Sequence, residues 1–149
     1  MQYIKRWLIV TLLFLVVLPL AACGGSAEPE DEEPAYLEPF EGTDFNLVTL
    51  TERAAERLGI QSEEVAEEET GDGMKMVVPY SAVIYDLNGN TFAYLRNPGE
   101  GSLKFVRTPI TVERIEGGQA ILSAGPPLGS HIVTVGVAEL YGADTGVGK

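Results

Sequence analysis

The sequence predicts a mainly β protein, a small β-barrel or β-roll of about six to eight short strands with one short helix. Three observations carry this expectation. From Met76 onward, short runs rich in Val, Ile, Thr, Tyr and Phe recur between Gly, Pro and Asn. The pair Asn88-Gly89 separates two such runs, and both positions of a type I′ hairpin turn tolerate these residues at positive φ. Helix signals at both ends bracket one stretch only, residues 52–58.

The elements follow in order. Residues 45–50 alternate in places and read as a strand. Thr51 can cap a helix over Glu52-Arg53-Ala54-Ala55-Glu56-Arg57-Leu58, and Gly59 stops it. Ala54, Ala55 and Leu58 share a face, so this helix is expected to lid a sheet. Residues 60–65 suggest a second strand, leading into Glu67-Glu68-Glu69 and a Gly71-Asp72-Gly73 turn. Residues 76–80 and 82–87 lead to Asn88-Gly89, and residues 91–95 return. After a loop through Asn97-Pro98-Gly99-Glu100-Gly101, residues 105–115 and 120–123 form a hairpin across Glu116-Gly117-Gly118-Gln119. Pro109 marks an edge or a bulge in the first of these. Past Pro126-Pro127-Leu128-Gly129, residues 131–136 read as a buried final strand.

The N-terminus has a different grammar. Lys5 and Arg6 precede an apolar run over residues 7–20, then Ala21-Ala22 and the single cysteine, Cys23. That is the order of a signal peptide. An uncleaved anchor is the alternative, but the run falls short of the roughly 20 apolar residues a spanning helix needs, and Pro19 interrupts it. Leu20-Ala21-Ala22-Cys23 resembles the lipobox of bacterial lipoproteins. The resemblance implies cleavage between Ala22 and Cys23 and a diacylglyceryl group on the Cys23 thiol. Each buried methylene contributes about 0.8 kcal/mol, so two or three acyl chains anchor durably.

The expected organisation is a signal peptide over residues 1–22 and a lipidated cysteine with an acidic, Pro-rich tether over 23–43. A β domain over 44–142 and a flexible tail over 143–149 complete it. Residues 28–72 hold 16 acidic side chains against Arg53 and Arg57 alone, too much like charge and too little apolar surface for the tether to fold. Loss of Lys5 and Arg6 leaves eight basic against 22 acidic residues. A formal charge of −14 from that balance excludes nucleic acid as an expected partner. With its one cysteine lipidated, the mature chain has no disulfide and depends on an apolar core.

Two stretches resemble a known family. Val78-Pro79-Tyr80-Ser81-Ala82-Val83, the Asn88-Gly89 turn, Thr91-Phe92-Ala93-Tyr94-Leu95, and Leu128-Gly129 followed by residues 132–140 are similar to the C-terminal part of periplasmic adaptor subunits, the membrane fusion proteins of RND-type tripartite efflux pumps. Leu50-Thr51 through Ile60-Gln61 is similar to the family's opening, especially in its metal-efflux branch. A full adaptor carries a lipoyl-like domain, a helical hairpin and a β-barrel between those segments; here Gln61 and Val78 are 17 positions apart. In the family the membrane-proximal domain is assembled from both chain ends. The resemblance therefore implies a free-standing membrane-proximal domain and docking to an envelope transporter, without the hairpin that meets an outer channel.

Little in the sequence suggests catalysis. His131 is the only histidine and borders a strand; Cys23 sits on a tether; Ser81 has no histidine nearby and only Asp86 as a neighbouring acid. Gly142 to Gly148 is spaced one residue too long for a phosphate loop, and nothing follows Lys149 to form its helix. Met74 and Met76 fall on one face of a strand, and soft thioethers suit Cu(I), but with no third soft ligand in sight strand packing is the expected role. Glu63, Glu64, Glu67, Glu68 and Glu69 lack the spacing of a calcium loop. The expectation is a non-catalytic, extracytoplasmic protein that needs no cofactor, held to membrane lipid through Cys23 and bound to an envelope transporter. The alternative is a small-ligand or metal-binding lipoprotein that feeds a transporter.

Overall fold

Thr51 and Gly59 bound the predicted helix in the computed structural model, which describes residues 33–97 and 103–146. In α1 (Glu52–Leu58) the Thr51 side chain accepts the Ala54 N–H at 3.2 Å, and Gly59 closes the last turn at φ 62°, donating back to Ala55 and Glu56. Residues 1–22, Cys23 and the tether up to residue 32 lie outside the described residues. Among those described, no helix is long and apolar enough to cross a membrane.

The strands are β1 (Ala35–Pro39), β2 (Asn46–Leu50), β3 (Gln61–Glu64), β4 (Ala66–Thr70), β5 (Gly73–Pro79), β6 (Ile84–Tyr85), β7 (Thr91–Arg96), β8 (Lys104–Pro109), β9 (Thr111–Glu116), β10 (Gln119–Ala124) and β11 (His131–Val135). A 3₁₀ turn covers Tyr80–Ala82, and α2 covers Val137–Thr145. All pairings are antiparallel. The larger sheet runs β1-β2-β8-β7-β11-β3 with β6 also against β7; the smaller runs β4-β5-β10-β9.

The larger sheet is the middle of three layers. On one face Val48, Leu50, Phe92, Tyr94, Phe105 and Val133 meet Ala54 and Ala55 of α1 and Val137 and Leu140 of α2. On the other, Ala93 and Ile132 meet Val78, Ala120 and Leu122 of the smaller sheet. The chain crosses between sheets four times, and two crossings turn on a single buried residue. Val65 separates β3 from β4, and Ile110 separates β8 from β9; both pack in the core between the sheets. Each is a strand that bends out of one sheet into the other, as closely packed sheets require at their corners.

The mainly β class is as expected, with differences that have physical reasons. Among the described residues there are eleven strands, not six to eight, and two α-helices, not one. Residues 105–115 divide at Ile110, directly after Pro109, and continue in the other sheet. Asn88 keeps a negative φ, so the turn is not type I′. Tyr85 pairs with Thr91, leaving a five-position loop organised by Asp86. Residues 35–39, assigned to the tether, form β1 along β2, from Ala35 opposite Leu50 to Pro39 opposite Asn46. Residues 143–145, assigned to the tail, complete α2, and Asp144 is buried.

Candidate functional site

A cluster of polar groups gathers on the buried Asp144 of α2. The Asp144 carboxylate accepts the Tyr94 hydroxyl at 2.8 Å on Oδ2 and the Asn46 amide at 3.1 Å on Oδ1. Arg107 Nε lies 3.3 Å from Oδ2, near enough for an ion pair but off the line of a hydrogen bond. Its guanidinium stands 5.1, 5.2 and 5.7 Å from the ring centroids of Phe45, Phe92 and Tyr141, a cation–π arrangement on three sides. Burial, then the bond to Asp144, pushes the Tyr94 phenol well above its ordinary value. Tyr94 is fully buried, so substrate has no route to it. The cluster joins β2, β7, β8 and α2 as a structural clamp. Sequence reasoning missed it, although Val137, Leu140, Tyr141 and Asp144 keep the i, i+3, i+4, i+7 spacing of one helix face.

The two methionines divide. Met76 packs against the core between the sheets, whereas Met74 is 60 % exposed near the β4–β5 turn. His131 is in the larger sheet, opposite Glu64 of β3. It lines a groove of about 430 Å³ with Leu95, Arg96, Leu128 and Ser130. Among the described residues, no three His, Cys, Asp or Glu side chains gather as a metal site requires. Glu63 and Glu64 lie on β3 and Glu67, Glu68 and Glu69 on β4, each an edge strand of its sheet. Charge on such edges opposes unwanted strand pairing. Glu68 accepts the Gln119 amide at 3.0 Å. Ser81 lies in the 3₁₀ turn, Asp86 in the β6–β7 loop, and neither has a histidine partner.

Two exposed features remain. An open groove of about 590 Å³ runs beside α1, lined by Glu52, Glu56, Gln61, Ser62, Arg96 and Leu103 among others. At the far end of β7 the β6–β7 loop projects. Asp86 Oδ1 accepts the backbone N–H of Asn88 and of Asn90, both at 2.8 Å, and Oδ2 accepts the Asn90 amide at 2.8 Å. These bonds hold the Asp86 carboxyl below its ordinary value. The loop carries a fully exposed Leu87.

No family model matches this chain, and no curated protein does at a significant level. Among solved structures it is similar to the NMR structure of a 180-residue segment comprising the N-terminal metal-binding site and the membrane proximal domain of SilB from Cupriavidus metallidurans CH34. The two share 21% identity at a TM-score of 0.45, over 76% of this chain and 70% of that one. A likeness this loose assigns no partner, metal or role to the chain.

Proposed function

We propose that the chain is a lipid-anchored, extracytoplasmic, adaptor-like protein that makes protein contacts with an envelope efflux system and is not catalytic. One observation supports this above the others. The two segments that resemble the two ends of an adaptor chain meet in a single sheet: Gln61, which closes the first, pairs as the opening residue of β3 with Val135 of β11, in the second. Helix α1, from the first segment, shares a core with Val137 and Leu140 from the second. Where an adaptor inserts its outer domains, this chain has the β4–β5 hairpin alone, closed by Thr70 opposite Gly73. A domain of this kind retains the gripping part and lacks a conduit wall.

Lipidation at Cys23 rests on Leu20-Ala21-Ala22-Cys23. The ten positions from Cys23 to Glu33 span no more than about 36 Å. An anchored domain therefore stays near its membrane, where even a weak contact benefits from high effective concentration. Labelled-palmitate incorporation tests the anchor, which Cys23→Ser should abolish while precursor accumulates. Crosslinking in native membranes together with an efflux complementation assay tests the role. Crosslinks to a transporter, without rescue of a strain lacking its full-length adaptor, support the proposal. Full rescue, or no membrane-protein crosslink, overturns it.

A further inference from the structure

Isolated apolar side chains on a surface are ordinary, but the β6–β7 end of this domain gathers several on a stiff support. Leu87 is fully exposed, and Tyr85 and Tyr80 are 46 % and 42 % exposed. Tyr85 forms the base of the loop through its pairing with Thr91, and its phenol and that of Tyr80 are near enough to interact electrostatically. The Tyr80 backbone N–H donates to Gly118 at 2.9 Å, which brings the β9–β10 turn and half-exposed Ile115 to the same end.

The support matters as much as the exposure. Beyond the three bonds to the Asp86 carboxylate, the Asp86 N–H donates to Asn90 at 3.0 Å and the Gly89 N–H to Asp86 at 3.1 Å. A leucine on so constrained a loop has little backbone freedom left to lose on binding, which is the property of an effective interface anchor. Tyrosines beside it suit a surface apolar on its face and polar at its tip.

Charge and polarity choose between kinds of partner. The carboxylates at this end are Asp86 and Glu116, and Arg114, two positions before Glu116, is matched by Asp72, Glu113 and Glu116. A loop that enters anionic lipid carries Lys or Arg around its apolar tip; this one carries acid. The polypeptide also joins the domain at the opposite end of the larger sheet. Ala35 is opposite Leu50, Thr49 opposite Lys104, and Phe105 opposite Arg96, whereas the loop lies beyond Thr91. The length of β7 separates the two ends by about 17 Å.

We infer that the tip formed by Tyr80, Tyr85 and Leu87 docks into a partner protein, Leu87 entering an apolar pocket rimmed with arginine or lysine. That the partner is an envelope protein rests on the function proposed above; the geometry of the tip does not. The test places a photo-crosslinking phenylalanine analogue at position 87 of the full-length lipidated chain in native membranes, with parallel placements at 56 on α1 and 128 beside the His131 groove. Position 87 should give a discrete membrane-protein adduct whose yield falls as salt is raised. With the analogue at 85, Leu87→Asp should reduce the yield about tenfold, the loss of roughly 1.4 kcal/mol of anchor contact. Leu87→Asp should also leave the melting temperature unchanged, which separates lost docking from lost folding. Protein adducts from 56 or 128 but not 87 overturn the inference and leave the adaptor reading standing. Adducts of position 87 with lipid acyl chains overturn it in favour of a membrane surface. No protein adduct from any position overturns both.

Discussion

Replacing Asp144 by alanine removes the one carboxylate that serves Tyr94, Asn46 and Arg107 together. Breaking one partner out of a buried charge pair costs about 3–5 kcal/mol, because the other charge stays behind unpaired. Here the lower figure applies. Arg107 keeps 16 % of its side chain exposed and retains three aromatic rings as neighbours. The Tyr94 hydroxyl and Asn46 amide nevertheless lose their ionised acceptor, and Tyr94 is fully buried, so about 3 kcal/mol is expected. For a domain of this size that lowers the melting point by about 12 °C. Thermal unfolding of residues 33–149, followed by circular dichroism, measures it. A protein cut after residue 142, the boundary the sequence suggested, deletes the same carboxylate and should lose at least as much. A shift under about 3 °C in both would show that the end of α2 is not docked and that the clamp reading is wrong.

Further outcomes follow from other positions. The folded state holds the Tyr94 phenol above its ordinary value of 10.0, so the stabilisation it contributes is complete below pH 10 and is lost as pH climbs beyond it. Melts between pH 8 and pH 11.5 should decline less steeply in Tyr94→Phe than in the parent, and parallel slopes would remove this assignment. Gly136→Ala should cost about 1–2 kcal/mol, because φ is 82° there and a new Cβ would displace the Ile60 methyl; denaturant titration reports it. Met74→Ala should be neutral within about 0.5 kcal/mol, while Met76→Ala should cost about 2 kcal/mol. Equal effects, or Cu(I) affinity abolished by both, would favour a paired thioether site.

Legibility in the sequence tracked how local each determinant was. Helix α1 was readable because Thr51 and Gly59 act within its own span. The final strand was readable because Ile132 and Val133 are apolar on both faces, as a strand between two layers must be. Strand β1 was not, since Ala35-Tyr36-Leu37-Glu38 has no buried face of its own and takes its conformation from β2. Helix α2 was hidden by the valine-rich run before it, by a start at Gly136 without a side-chain cap, and by Gly142 within it. Its buried acid reads as solvent-facing until Arg107, Tyr94 and Asn46, far away in the chain, are brought to it. The Asn88-Gly89 signal located a hairpin correctly but gave the wrong turn, because the Asp86 carboxylate, two positions earlier, satisfies the Asn88 and Asn90 N–H groups.

The pairing of β1 with β2 also bears on mechanics. A tug on the tether reaches the domain at Ala35 and is directed along β1, whose hydrogen bonds to β2 lie across that direction. Five residue pairs, from Ala35–Leu50 to Pro39–Asn46, then share the load as shear and must yield together. Pulled sideways, the same strand would unzip one pair at a time. If the domain is held at its β6–β7 end and leashed to lipid at the other, tension runs along the strands, so thermal buffeting of the membrane loads this seam in the geometry where it is strongest.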